Sequence, residues 1–415
     1  MNNLLKTYKF SNFRVVKGNG CYLYTSDKRK LLDFSAGVAV NSLGYNHPVV
    51  RKSLQDQIKT GITHLSGSQM HEFKTKLSKL LSENSNKGDV FFSNSGAESI
   101  EAALKIARNY GSKKGRDEII AMTSSFHGRT IGALSVGSNK KYKTDIGPVP
   151  GKVNFCKFND VSHLKKLVNK KTIAIIIEFV QGDGGINICS KSFARAIKEI
   201  CKSKKILLIG DEIQGGIGRT GKIFAYKHYG VNPDIITSAK GLGSGIPIGA
   251  TIVKKYISKI ISTGFHGSTF GGGMLQTRVS YNVLKSINTK AFLNKILING
   301  KYLSTIDANV HIGKMQEHNA KLLAATNVIR SLEAPLSIVC ERPFYSTTIS
   351  GDLNAYDGDS SHRVFAGHVF QHFKSSNSTG LMPSYDQVIA AETKIESILA
   401  QGSNACIVQL CTFTQ

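Results

Sequence analysis

The 415-residue sequence contains no apolar run approaching the ~20 residues that a membrane-spanning helix needs, so no membrane partner is expected. Its beginning, MNNLLKTYKFSNFRVV, has neither a long apolar segment nor a small-residue cleavage site, and no secretory signal is read there. Cysteine is sparse. The seven residues Cys21, Cys156, Cys189, Cys201, Cys340, Cys406 and Cys411 are odd in number, scattered and without metal-ligand spacing. No metal is expected, and a reduced, cytoplasmic compartment fits best. Acidic residues are also short, 28 against 54 Lys and Arg, which leaves a formal net charge of +26. That excess invites a nucleic-acid reading. The lysines, however, are spread through helices and loops, in pairs such as Lys113-Lys114 and Lys204-Lys205. No basic stripe alternates with aromatics, and no nucleic-acid motif is recognised. The charge reads as a lysine-rich solvated surface whose field draws in anionic small molecules, with no nucleic-acid partner.

What is present is an alternation. From about Leu54 to Ala250, helical segments alternate with short, fully apolar runs such as TIAIIIEFVQG and ILLIGDEIQGG. DVFFSNSG reads as a strand into a glycine turn. AESIEAALKIARNYGSKKG reads as a helix with Ile100, Leu104 and Ala107 on one face. Continuous apolar strands between helices predict an α/β chain with a mostly parallel sheet covered on both faces. The binding site of such a sheet lies beyond the carboxyl ends of its strands. The tail differs. Lys and Arg thin out after about Leu303, and beyond Cys340 periodicity is weak, apart from a helix expected at SYDQVIAAETKIESILAQ.

In IITSAKGLGSGIPIGA, Lys240 sits where a strand gives way to glycines. Alone it reads more readily as a surface lysine than as an amine nucleophile. Asp211 ends the strand one crossover earlier and alone reads as a loop cap. Together at one rim they suit pyridoxal 5'-phosphate (PLP), with the lysine as Schiff-base former and the aspartate holding the ring nitrogen protonated. SNSGAES turns into a helix at Ala97-Glu98, where free amides and the helix dipole suit a phosphate; simple N-capping is the alternative. In SSFHGRT, Phe126 suits a ring face and Arg129 a carboxylate, although core packing and a surface ion pair explain them equally well. His127 is given only an orienting role.

The segments SNSGAESIEAALKIAR, FHGRT, IEFVQGDGG, GDEIQGGIGRTGKIFAYKHYGVNPDIITSAKGLGSGIPIGA and HGSTFGGG occur in the order seen in class III aminotransferases, and the chain resembles most the acetylornithine aminotransferase branch. The resemblance covers roughly residues 10 to 300 and departs after about residue 303. It implies a fold type I PLP-dependent transferase, with a large mostly parallel domain flanked by helices and a small α+β domain built from the chain ends. The division read is 1–50 for the N-terminal part of the small domain and 51–285 for the large PLP-binding domain. A shortened C-terminal part of the small domain follows at 286–340, and 341–415 is an unassigned, irregular tail.

Carried over, Gly96 and Ala97 would bind the cofactor phosphate, Phe126 and Ile213 would take the two ring faces, and Asp211 the ring nitrogen. Gln214 would reach the phenolic oxygen side, and Lys240 would be the Schiff-base lysine and proton shuttle. Thr269 would reach the phosphate of the partner subunit's cofactor in a homodimer with shared active sites, with Ser268 near the substrate. Arg129 would grip the substrate's distal carboxylate, and Arg330, paired with Asp183, its nearer one. The implied reaction moves the terminal amine of N-acetylornithine to 2-oxoglutarate, giving glutamate, in arginine biosynthesis, with succinyldiaminopimelate a further substrate. The alternatives are another ω-aminotransferase, for ornithine or 4-aminobutyrate, and a PLP-binding protein whose turnover is impaired by its aberrant C-terminus.

Overall fold

A computed structural model of the chain describes residues 3–8, 11, 13–33, 35–308 and 336–338. Arg330 and residues 341–415, including the helix expected from SYDQVIAAETKIESILAQ, lie outside the described residues.

Three short strands come first: β1 (Val15–Asn19), β2 (Tyr22–Thr25) and β3 (Lys30–Leu32). The strands that follow are β4 (Asp89–Ser93), β5 (Glu118–Met122), β6 (Lys152–Cys156), β7 (Thr172–Ile177), β8 (Val180–Gln181) and β9 (Asn187–Ile188). After them come β10 (Leu207–Asp211), β11 (Ile235–Ser238), β12 (Gly249–Val253) and β13 (Leu336–Ile338). Seven of these form one sheet in the order β4-β12-β11-β10-β7-β5-β6. A smaller sheet, β1-β2-β3-β13, joins the first strands to the last, with β13 parallel to β3.

The large sheet is parallel except for β12, which runs antiparallel to both β11 and β4. The sequence pattern alone places IGATIVKK as a further member of a mostly parallel series. Its reversal has a simple cause: only residues 239–248 separate β11 from β12, too few for the helical crossover a parallel return requires.

The apolar runs are continuous because both faces of the sheet are covered. Along β7, Ile175 and Ile177 pack on one face with Phe193, Ile197 and Leu208. The alternate residues Ala174 and Ile176 pack on the other with Ile100, Leu104 and Ala107 of the Gly96–Ser112 helix. That helix starts firmly. Ser95 Oγ accepts the Glu98 amide at 3.2 Å, and the Glu98 carboxylate reaches back to the Asn94 amide at 2.8 Å. This reciprocal cap is written in the sequence as Ser95-x-x-Glu98. Among the described residues, no helix is long and apolar enough to cross a membrane.

Phe193, on the Lys191–Lys204 helix, is fully buried and meets Phe158 edge-on at 6.0 Å between ring centroids. Phe193→Ala removes that ring from a close-packed layer and is expected to lower the unfolding free energy by about 3–5 kcal/mol, read as a fall in the denaturation midpoint.

Candidate active site

Because β4, β5, β7, β10 and β11 all point the same way, the segments leaving them converge on one rim. β10 delivers Asp211, which is 4% exposed. Its Oδ2 bonds His127 Nδ1 at 2.6 Å, while Oδ1 accepts the Ile213 amide at 3.0 Å and the Thr237 hydroxyl at 3.2 Å. Three donors thus fix the carboxylate in one orientation. Burial opposes charge on His127, but the bond to Asp211 and the nearby charges of Asp211 and Glu178 outweigh it and raise the imidazole's pKa. His127 Nε2 is buried and has no hydrogen-bond partner among the described residues. The orienting role expected for His127 is therefore directed at Asp211.

β11 delivers Lys240, whose Nζ donates to Gln214 Oε1. The lysine backbone lies at φ +46°, a left-handed conformation that non-glycine residues seldom adopt. Burial pushes its pKa down to about 8, against the pull of Asp211, Glu178 and Asp183. An amine in this range has a substantial neutral, nucleophilic fraction near neutral pH, unlike a solvated lysine.

The glycines make the rim compact. A Cβ on Gly96 would stand 2.9 Å from Ile213 Cδ1, and one on Gly182 would stand 2.6 Å from Gln214 Cγ. Gly128, at φ +137°, packs on Ala97, where a Cβ would approach to 2.9 Å. The Gly96–Ala97 turn, the Phe126–Arg129 turn and the strand-end residues Ile213 and Gln214 thus touch through glycines. Gly249, at the start of β12, lies so close to the helix cap that a Cβ would come within 2.3 Å of the Ser95 carbonyl oxygen.

The residues singled out in the sequence are not all at the centre. Gly96, Ala97, Asp211, Ile213, Gln214 and Lys240 gather there, with Phe126 on the adjoining turn and Asp183 near enough to act on Lys240 through its charge. Arg129 is exposed, its guanidinium 3.4 Å from the ring centroid of Tyr142, which also meets Phe126 edge-on. Ser268 Oγ accepts from Asn94 Nδ2 at 3.1 Å, so it sits beside the helix start. Thr269 is exposed, as is Phe270 next to it. Sequence reasoning missed Tyr142, Glu178 and Glu212. Glu212 faces away from the rim and accepts the amides of Ala225 and Tyr226 at 2.6 and 2.8 Å. The signal for Glu178 was an acid ending the run TIAIII, where solvation is unavailable.

These residues fit PLP. Ser95 caps the Glu98 amide and accepts the Ser99 amide, and the amides of Gly96 and Ala97, first in their helix, have no partner one turn back. They are available to a phosphate, with the helix dipole in favour. An apolar aliphatic face at Ile213, a fixed carboxylate and a partly neutral amine complete the set of groups the cofactor needs.

Comparison with known proteins agrees. Residues 6–309 match the family described as Aminotransferase class-III. The chain is 42% identical over 296 residues to the acetylornithine/succinyldiaminopimelate aminotransferase of Buchnera aphidicola subsp. Acyrthosiphon pisum, covering 71% of this chain and 72% of that relative. It is 43% identical over 302 residues to the acetylornithine aminotransferase of Caldanaerobacter subterraneus subsp. tengcongensis, covering 72% and 76% respectively. The fold matches the crystal structure of ornithine aminotransferase from Toxoplasma gondii with a TM-score of 0.74, at 24% identity over 90% of this chain and 92% of that one.

In cofactor-free protein, modification of Lys240 by an amine reagent is expected to rise with pH and reach half its maximum near pH 8, well below an exposed lysine. Peptide mapping of the modified residue across pH checks this, and a midpoint near that of surface lysines would contradict it. The acetylornithine aminotransferase branch read in the sequence and the residues gathered at the rim lead to one conclusion: the chain belongs to the class III aminotransferases, PLP-dependent enzymes of fold type I.

Proposed function

We propose that this aminotransferase takes the terminal amine of N-acetylornithine and passes it to 2-oxoglutarate, giving glutamate, as a cytoplasmic enzyme of arginine biosynthesis. The observation that carries the reaction is the depressed-pKa amine of Lys240 on the same rim as the fixed carboxylate of Asp211. The choice of donor rests on relatives named for acetylornithine at 42–43% identity. One of them is named for succinyldiaminopimelate as well, which favours a second reading in which succinyl-blocked amines are also accepted.

When bound, PLP supplies an aldehyde that takes up the donor's amine and a ring that draws electrons from the donor carbon. Each protein group then has a task. The Gly96 and Ala97 amides hold the phosphate, and Phe126 and Ile213 enclose the ring. Asp211, held by His127, would keep a proton on the ring nitrogen, and Gln214 would serve the phenolic oxygen side. Lys240 Nζ would be the amine that holds the cofactor and the group that moves a proton at the donor carbon; general acid–base catalysis of that kind contributes about 10²–10⁴-fold. Arg129 takes the carboxylate far from the reacting amine, with Ser268 beside the substrate. Asp183 would pair with a second arginine, which the resemblance assigns to Arg330.

We also read the enzyme as a homodimer in which Thr269 serves the partner's phosphate. Support comes from exposed apolar residues around that loop, with Phe270 at 55% and Met70 at 72%. The division into a small domain from the chain ends and a large domain over 51–285 belongs to the same reading.

Lys240→Ala is expected to abolish both transamination and the visible absorbance of the bound cofactor. Asp211→Asn is expected to retain cofactor and lose most of the rate. Absorption spectra with a coupled glutamate assay check both, and a Lys240→Ala enzyme that still turns over would remove the nucleophile assignment. Mixed with single donors, the enzyme should lose its cofactor absorbance faster with N-acetylornithine than with ornithine; equal rates would count against the donor proposed.

A further inference from the structure

Glu178 follows β7, is 4% exposed, and has no part in the reaction as assigned above. Burying a carboxyl group is costly unless something is gained by it. Its Oε1 accepts the backbone amide of Phe126 at 2.9 Å. The next residue, His127, holds Asp211, and the one after, Gly128, packs against Ala97 of the phosphate turn. One bond from β7 therefore fixes the turn that carries the ring-facing aromatic and the imidazole. Farther along, Glu101 holds the same loop by accepting the Thr130 hydroxyl at 2.5 Å and the Ala133 amide at 3.0 Å.

We infer that Glu178 is a positioning residue for the cofactor: by accepting the Phe126 amide, it holds the Phe126–His127 turn against Asp211. The inference rests on the PLP reading above. The bond does not require charge, because a neutral carboxyl also accepts at Oε1. That matters here, since burial pushes the Glu178 pKa up to about 7, with His127 and Lys240 opposing and Asp211 reinforcing. The charged groups around this cluster are His127 from the turn after β5, Asp211 from β10, Lys240 from the hairpin after β11, and Asp183 and Arg219, which act on Lys240.

Two substitutions of similar volume separate the bond from simple filling. Glu178→Gln keeps an acceptor, and Glu178→Met fills the space without one. In cofactor-free protein, hydrogen exchange of the peptide spanning residues 123–129 should stay slow in Gln and accelerate in Met, because the Phe126 amide loses its partner. PLP affinity, measured by titration of the cofactor-free protein, should stay within a few-fold of wild type in Gln and fall about tenfold or more in Met. Equal PLP affinity in the two variants overturns the inference, whatever their exchange. A purely structural role would lower the melting temperature of Met without this split in affinity. The exchange measurement needs no PLP, so a wild-type chain that failed to bind PLP would overturn the functional reading, while the exchange contrast still decided whether the clamp exists.

Discussion

The rim depends on one buried carboxylate being held still. Asp211 is placed by a strand end, and its two oxygens are engaged by an imidazole, a hydroxyl and a backbone amide contributed by three segments. A carboxylate in so dry a place is costly to bury without such hydrogen-bond partners. The support runs in both directions, because the same charge favours the proton on His127 that burial would remove. Lys240 feels the opposite balance: burial dominates over the surrounding acids, and the amine is released from its proton more readily. Neighbouring groups on one rim are thus shifted in opposite directions by their surroundings, His127 upward and Lys240 downward.

The arrangement follows from topology. Parallel strands deliver their carboxyl ends to one edge, and the sequence supplies chemistry there and apolar residues below it. Adjacent acids at the end of β10 show how local the division is. Asp211 bonds His127, Thr237 and the Ile213 amide, whereas Glu212 ties down the Ala225–Tyr226 turn, and burial raises its pKa to about 8.

Much of this was legible in the residues themselves. Buried strands announced themselves as unbroken apolar runs, and the start of the Gly96–Ser112 helix as the glycine turn in SNSGAES. Lys240 and Asp211 were conspicuous because each interrupts such a run at its carboxyl end. Less legible was anything set by long-range packing. The direction of β12 depends on the length of its connection, not on its alternation. Glu178 and Tyr142 reach the Phe126–Arg129 turn from elsewhere in the chain, Glu178 from 52 residues beyond Phe126 and Tyr142 from the far side of the Ile131–Val136 helix. No periodicity encodes such pairings. His127 was read as an orienting group, but its target became evident only when β5 and β10, with β7 between them, were seen to end on the same rim.

The contact of Gly249 with the Ser95 carbonyl ties the returning arm of the Lys240 hairpin to the start of the Gly96–Ser112 helix, backbone against backbone. The two halves of the machinery therefore have no slack between them. Bulk added at that seam cannot be absorbed by a side chain swinging aside; it must wedge the hairpin from the helix. Directed evolution of a new donor preference would accordingly find its freedom in the outer wall around Arg129 and Ser268, and meet inactive, cofactor-poor variants wherever it mutates the seam.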